Sequence, residues 1–245
     1  MCGRYYIDEG MLKELERILK NYGQGLEGRW DDPGYGAAAL PGLTGSMMDL
    51  TYGDRRCRPD GTADLTGIRY RPDEDAGRIG EIRPSDCAVV LTGRQNALSS
   101  EVMRWGFLQY RQKGLVINAR AETVLERPMF RDSVLFRRCV IPAKHFYEWD
   151  KDKNRVTFWQ EHAPGLYMAG FYNCFDGEDR FVILTVCAND SVKDVHDRMP
   201  LILKESELES WVYDDGSWER ILKKKQPGLA RSQEYEQMSL LLSDL

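Results

Sequence analysis

Three short stretches carry side chains that could do chemistry together. The first is Met1-Cys2-Gly3-Arg4. Removal of Met1, which a small second residue permits, leaves Cys2 with a free α-amine and a thiol on adjacent carbons. Such an aminothiol captures aldehydes: the amine forms a Schiff base, and the thiol then closes a five-membered thiazolidine. Unperturbed, the amine titrates near ~7.7–8.0 and the thiol near ~8.5, so both nucleophiles are within reach near neutrality. The second stretch is His145-Phe146-Tyr147-Glu148-Trp149, a carboxylate among large rings. Buried there, Glu148 has a raised pKa, because desolvation disfavours the charged form, and this suits proton transfer near pH 7. It could instead reach water at a strand edge or pair with Arg137 or Arg138. The third is Val195-His196-Asp197-Arg198-Met199-Pro200. His196 follows a strand ending near Ala188 and a polar stretch, a common place for a catalytic loop, though a lone histidine is more often structural. His145 and His162 have less support, and His162 falls in a turn.

Asn118-Ala119-Arg120-Ala121-Glu122-Thr123 alternates in a way that matters for a cleft. In an extended chain Asn118, Arg120 and Glu122 share one face and the alanines the other. This is the pattern of a strand lining a polar cleft, or of an exposed edge strand. Arg4, Arg120 and the pair Arg137-Arg138 are candidate phosphate contacts. Trp105 and Phe107, near the same basic stretch, could stack bases, and Phe107 could equally be core.

Charge is unevenly spread. The net charge is −5, yet residues 104–155 hold twelve basic side chains against six acidic. Residues 27–81 hold seven against eleven, and residues 204–245 six against nine. A local basic face can attract phosphate despite an acidic total. No apolar run approaches the ~18 residues of a membrane span, and no secretory signal is visible, so a cytoplasmic protein without membrane association is expected. The six cysteines, expected mostly reduced, lack CxxC spacing, and neither a metal nor a cofactor is expected.

The elements that must position these residues follow from periodicity. Residues 9–22 read as a helix capped by Asp8, with Met11, Leu12, Leu15, Ile18, Leu19 and Tyr22 at helical spacing and Gly23 after it. Residues 24–80, rich in Gly, Asp and Arg, read as a partly disordered insertion. Strands are expected at 87–91, 102–109, 115–121, 137–141, 145–149, 155–160, 166–173 and 180–188. Helices are expected at 129–136, after a Ser206/Glu209 capping box, and at 217–225. The tail 234–242 reads as a closing strand or a helix. Hydrophobic content of 42% supports a sizeable core. The sum is a single α+β domain over residues 1–245, built on a mainly antiparallel, barrel-like β-sheet with flanking helices.

Taken together, Met1-Cys2-Gly3-Arg4-Tyr5, Trp105-Gly106-Phe107, Asn118 to Thr123, Arg138-Cys139-Val140-Ile141-Pro142-Ala143, Phe146-Tyr147-Glu148-Trp149 and His196 to Pro200 resemble the SOS response-associated peptidase (SRAP) family of abasic-site processing proteins. The resemblance spans the N-terminus and about residues 80–213. It leaves out 24–80, and the proline common shortly after Trp-Gly is missing here.

The resemblance implies a barrel-like α+β domain with a positively charged channel for single-stranded DNA. It implies that mature Cys2 forms a thiazolidine crosslink with the ring-opened aldehyde of an abasic sugar. By motif, Asn118 positions the Cys2 terminus and the sugar, Glu148 moves protons, and His196 assists ring opening and Schiff-base chemistry. Arg4 and Arg120 hold the flanking phosphates, and Trp105 and Arg138 complete the DNA-contact set. It further implies exposure of Cys2 by self-cleavage or an aminopeptidase, and strand cleavage by β-elimination (AP-lyase activity). The expected partner is single-stranded DNA containing abasic sites, bound by a monomer. Two other readings remain open: a cysteine peptidase acting on other proteins through Cys2, His196 and Asn118, and a non-catalytic nucleic-acid-binding module.

Overall fold

The computed structural model describes residues 2–22, 79–94, 97–109, 113–213 and 216–233. Strand β1 (Arg4–Ile7) leads directly into helix α1 (Glu9–Tyr22). Asp8 caps that helix, its Oδ1 accepting the Met11 N–H at 2.7 Å. Met11, Leu15 and Ile18 form the buried stripe that the apolar spacing dictates.

The strands β2 (Gly80–Ile82), β3 (Cys87–Arg94), β4 (Ala97–Trp105), β5 (Phe107–Leu108), β6 (Leu115–Val116) and β7 (Asn118–Arg120) come next. A 3₁₀ turn at Ala121–Thr123 and helix α2 (Pro128–Phe136) precede β8 (Arg138–Ala143), β9 (His145–Trp149), β10 (Arg155–Trp159), β11 (Leu166–Phe175) and β12 (Glu178–Cys187). Strands β13 (Arg198–Pro200) and β14 (Ile202–Leu203), helices α3 (Leu208–Val212) and α4 (Trp218–Leu222), and β15 (Ala230–Gln233) complete the described chain.

The architecture is α+β and mostly antiparallel. Strands β12, β4, β3, β8 and β11 lie in that order, and β11 pairs back onto β12, closing a five-stranded barrel. Strand β7 joins the outer part of β12 in parallel, and β13 pairs with the end of β12. A second sheet runs β15-β10-β9-β1-β2. Barrel closure requires close backbone approach at Gly170 of β11. A Cβ there would lie 2.3 Å from Ile141 Cδ1 and 2.5 Å from the Val182 carbonyl oxygen.

Several boundaries differ from the sequence expectation. The strand expected over 102–109 starts earlier, at Ala97, and breaks at Gly106, whose φ of +109° ends β4 and opens β5. The strand expected over 115–121 is interrupted after Val116 and passes into the 3₁₀ turn at Ala121. The capping interaction sits two residues before the expected Ser206/Glu209 pair: Lys204 N–H donates to Glu207 Oε2 at 2.8 Å. Strands β1, β2, β13, β14 and β15 were not anticipated. Most of the 24–80 insertion and the 234–242 tail lie outside the described residues, although Gly80 opens β2.

Candidate functional site

Sheet register brings the N-terminal residues to Glu148. Strand β1 pairs antiparallel with β9, with Arg4 opposite Tyr147 and Tyr5 opposite Phe146. One further step of the same register puts Gly3 opposite Glu148, so no side chain from position 3 crowds the carboxylate. Cys2 is fully buried, and its thiol donates to the Arg4 carbonyl at a sulfur distance of 3.7 Å. Across from it, Asn118 Nδ2 donates to the Cys2 carbonyl oxygen at 2.9 Å. That bond joins the second sheet to β7 and the barrel. Asn118 Oδ1 is buried and accepts no hydrogen bond among the described residues.

The electrostatics of this group follow from burial. Desolvation pushes the Cys2 thiol well above its ordinary value, and the nearby Glu148 charge pushes it the same way. The sulfur is therefore held as S–H near neutrality, so it needs a base to attack. Glu148 is itself buried, and burial pushes its carboxyl up to about 7, with Asp197 adding in the same direction. A carboxyl poised there can accept and return a proton at physiological pH.

The third candidate is carried by β12. Its register sets Thr185 opposite Arg120 on β7 and Cys187 opposite Arg198 on β13, so one strand fixes the spacing of Asn118, Arg120 and the His196 segment. Arg198 grips Glu122 with two nitrogens at 2.9 and 2.7 Å and donates to the Thr185 carbonyl at 2.6 Å. That pairing holds the Glu122 carboxyl down at about 2. His196 Nδ1 accepts the Arg198 N–H at 2.9 Å, which places the ring proton of the neutral imidazole on Nε2. Asp197 Oδ1 also lies 2.8 Å from Nδ1, a contact that becomes a hydrogen bond when Nδ1 carries a proton, in the other neutral tautomer or in the imidazolium. Burial lowers the His196 pKa, which favours the neutral ring.

The expected DNA contacts divide. Arg120 is exposed, and Arg4 lies partly exposed over the Trp149 ring, 4.9 Å from its centroid. Trp105 and Arg138 are corrections. Trp105 is fully buried, packs against Tyr5 at 5.3 Å between centroids, and donates its Nε1–H to the Ile117 carbonyl. It has no ring face left for a base. Arg138 is 3% exposed, and its guanidinium donates to the carbonyls of Trp211, Val134 and Leu135. It therefore ties α2 and α3 to β8 and does not meet a phosphate. Phe107 is likewise buried in an aromatic cluster with Phe171 and Phe175.

Sequence reasoning missed Tyr5 as a site residue. Its hydroxyl is buried with no hydrogen-bond partner among the described residues. Burial and then the proximity of Cys2 push its pKa well up, so it stands beside the cysteine as a neutral O–H. The signal was available: Tyr5 falls on the inward parity of a strand starting at Arg4. A cavity of about 530 Å³ opens beside Asn118 and Arg120, bounded by Val116, Arg127, Met129 and Phe130. Among the described residues no three metal-ligating side chains converge.

A closed mixed barrel with Cys2 buried between the Asn118 amide and the Glu148 carboxyl is the setting in which relatives are compared. The family description "SOS response associated peptidase (SRAP)" matches residues 56–240, and the chain belongs to that family. It is 33% identical over 139 residues to the abasic site processing protein YoaM of Bacillus subtilis, covering 51% of this chain and 60% of that protein. Over 153 residues it is 29% identical to the abasic site processing protein YedK of Escherichia coli, covering 59% and 68%. Over 206 residues it is 29% identical to the abasic site processing protein HMCES of Gallus gallus, covering 66% and 60%. The chain thus spans about three fifths of the length of YoaM. Among solved structures, a Bordetella bronchiseptica protein matches with TM-score 0.55 at 21% identity, over 62% of this chain and 86% of that one. A Bacteroides thetaiotaomicron protein matches with TM-score 0.53 at 24% identity, over 63% and 77%. These two share the fold.

Proposed function

We propose that the chain processes abasic sites in single-stranded DNA by capturing their aldehyde on mature Cys2. The observation that carries this is the Asn118 bond to the Cys2 carbonyl, with the Glu148 carboxyl buried beside the thiol. Once Met1 is removed, the α-amine adds to the C1′ aldehyde, and the carbinolamine loses water to give the Schiff base. The Cys2 sulfur then attacks the same carbon as its proton passes to Glu148, and the thiazolidine closes. The orphaned Asn118 Oδ1 is suited to accept an N–H of the amine, and His196, in its protonated form, to pass its Nε2 proton to the sugar ring oxygen as the Glu148 carboxylate takes the C1′ hydroxyl proton and the ring opens. Arg4 and Arg120 would hold the flanking phosphates. From the same Schiff base, loss of the C2′ proton would expel the 3′ phosphate and cleave the strand, so thiol closure and AP-lyase cleavage compete for one intermediate.

The names of YoaM, YedK and HMCES support the substrate class. The peptidase reading fits less well: burial and the Glu148 charge hold the Cys2 thiol up in its S–H form, whereas a cysteine peptidase attacks as a thiolate beside an imidazolium.

The test is a denaturing gel after incubation of mature protein with single-stranded DNA carrying one abasic site. A covalent band is expected with the native chain and none with Cys2→Ala. Cys2→Ser keeps the amine but loses the thiol, and should shift the products toward cleaved strand. Absence of a band from native protein whose mass confirms loss of Met1 would sink the proposal.

A further inference from the structure

The second sheet has two very different faces. Its inner face carries Tyr5, Ile7, Phe146, Glu148, Val156 and Phe158, all buried. Strand alternation sends the intervening residues outward, and register aligns them: Tyr6 opposite His145, Arg4 opposite Tyr147, Trp149 opposite Arg155. The outward face is therefore a row of rings and guanidiniums.

These rings are arranged as flat surfaces. Tyr6 and His145 stack face to face, 4.9 Å between centroids and 7° between planes. Tyr147 stands edge-on to His145, and its hydroxyl lies 2.8 Å from His145 Nε2, which fixes the imidazole plane. Arg4 lies over Trp149 and Arg155 over Tyr147, each at 4.9 Å. Arg4, Arg83 and Arg155 all converge on one carboxylate, Glu81, at 3.2, 2.7 and 3.6 Å. Three guanidiniums thus gather at one edge of this face. The Arg4, Arg83 and Arg155 side chains are 37%, 58% and 34% exposed.

We propose that this outward face is a stacking platform for single-stranded DNA, with bases lying on the Tyr6–His145 and Trp149 rings and phosphates meeting the Arg4, Arg83 and Arg155 cluster. Flat rings accept any base, because every base has a π face, and guanidiniums track the phosphates between them. Charge complementarity selects a polyanion. Continuity selects the strand: Arg4 stands on this face while its sheet partner strand carries Glu148 on the other. The track thus begins at the residue that would hold a phosphate beside the lesion and runs away from the reactive centre. The inference rests on the reading of Cys2 as the aldehyde-capturing residue only for its entry point.

Intact DNA separates the two ideas, since it has no aldehyde. Binding of a fluorescein-labelled oligothymidine without abasic sites is measured by anisotropy for the native chain, Tyr6→Ala, Tyr6→Phe and His145→Ala. Tyr6→Ala and His145→Ala should each weaken binding about fivefold or more, and Tyr6→Phe should bind like the native chain, because the ring and not the hydroxyl is required. In parallel, native protein is irradiated with an oligonucleotide containing iodouracil, and adducts are expected on Tyr6, His145 or Trp149. Equal affinity across all four proteins, or adducts only outside this sheet, would overturn the platform. A platform that fails while the native covalent band persists leaves the Cys2 reading standing. A missing covalent band with ring-dependent oligothymidine binding leaves the platform standing.

Discussion

Glu148 is kept where it destabilises the protein. With its carboxyl pushed up to about 7 by burial, against about 4.3 in an unfolded chain, the native state holds a proton that the unfolded state has already released across that window. Stability therefore falls as pH rises from about 4 to 7, by on the order of 3 kcal/mol. Glu148→Gln removes this dependence. Thermal melts should find the variant more stable than the native protein at pH 8, with the gap closing toward pH 4. Its covalent capture of abasic DNA should be slower by about 10²–10⁴-fold. The native rate should climb as pH rises through 7, as Glu148 becomes able to take the thiol proton, and the variant should lack that inflection. Asn118→Ala leaves the Cys2 carbonyl without its donor, which costs about 1–3 kcal/mol. Crosslinking kinetics should slow in this variant even at temperatures where circular dichroism reports a folded chain.

At the scale of elements, β12 deserves the central place, since it closes the barrel and carries both β7 and β13. Gly170→Ala places a methyl against the Val182 carbonyl, which cannot swing aside as a side chain can. The expected penalty is about 1–3 kcal/mol, read as a lowered melting temperature. What the sequence disclosed about these elements depended on length and period. Helix α1 was legible in full because fourteen residues carry an unbroken apolar stripe behind an aspartate cap. Strand β9 was legible to the residue. Strand β13 was hidden because Arg198-Met199-Pro200 is too short for a period and ends on proline, which reads as loop. Asn118, Glu148 and His196 stood out by type and spacing as candidates, whereas the meeting of Asn118 with Cys2 was not legible, since that bond joins residues 116 apart in the chain. Trp105 was misread because proximity to basic residues suggested a surface ring. The alternation Met103, Trp105, Phe107, all buried, was the overlooked sign of a core-facing strand.

For the whole molecule, an acidic total with a basic band predicts binding that salt weakens strongly. Each phosphate neutralised on a single strand contributes about 0.7 to the slope of log affinity against log salt. Oligothymidine titrations from low to physiological salt should give a slope near −2 or steeper, and Arg120→Gln should make it shallower by about one contact. A slope near zero would mean that the guanidiniums on the surface do not meet the backbone of the strand.

One bond described above has a mechanical meaning. Cys2 and Glu148 ride on one sheet, whereas Asn118 and His196 ride on the strands around the barrel, and Asn118 reaches across to Cys2 while Tyr5 leans on Trp105. The proposed nucleophile and the groups proposed to handle the sugar are thus mounted on separate plates, clamped by a seam of one amide and two rings. Heat or an oversized side chain that loosened this seam would misalign the reacting atoms while both plates stayed folded. Loss of crosslinking on warming should accordingly precede the loss of ellipticity.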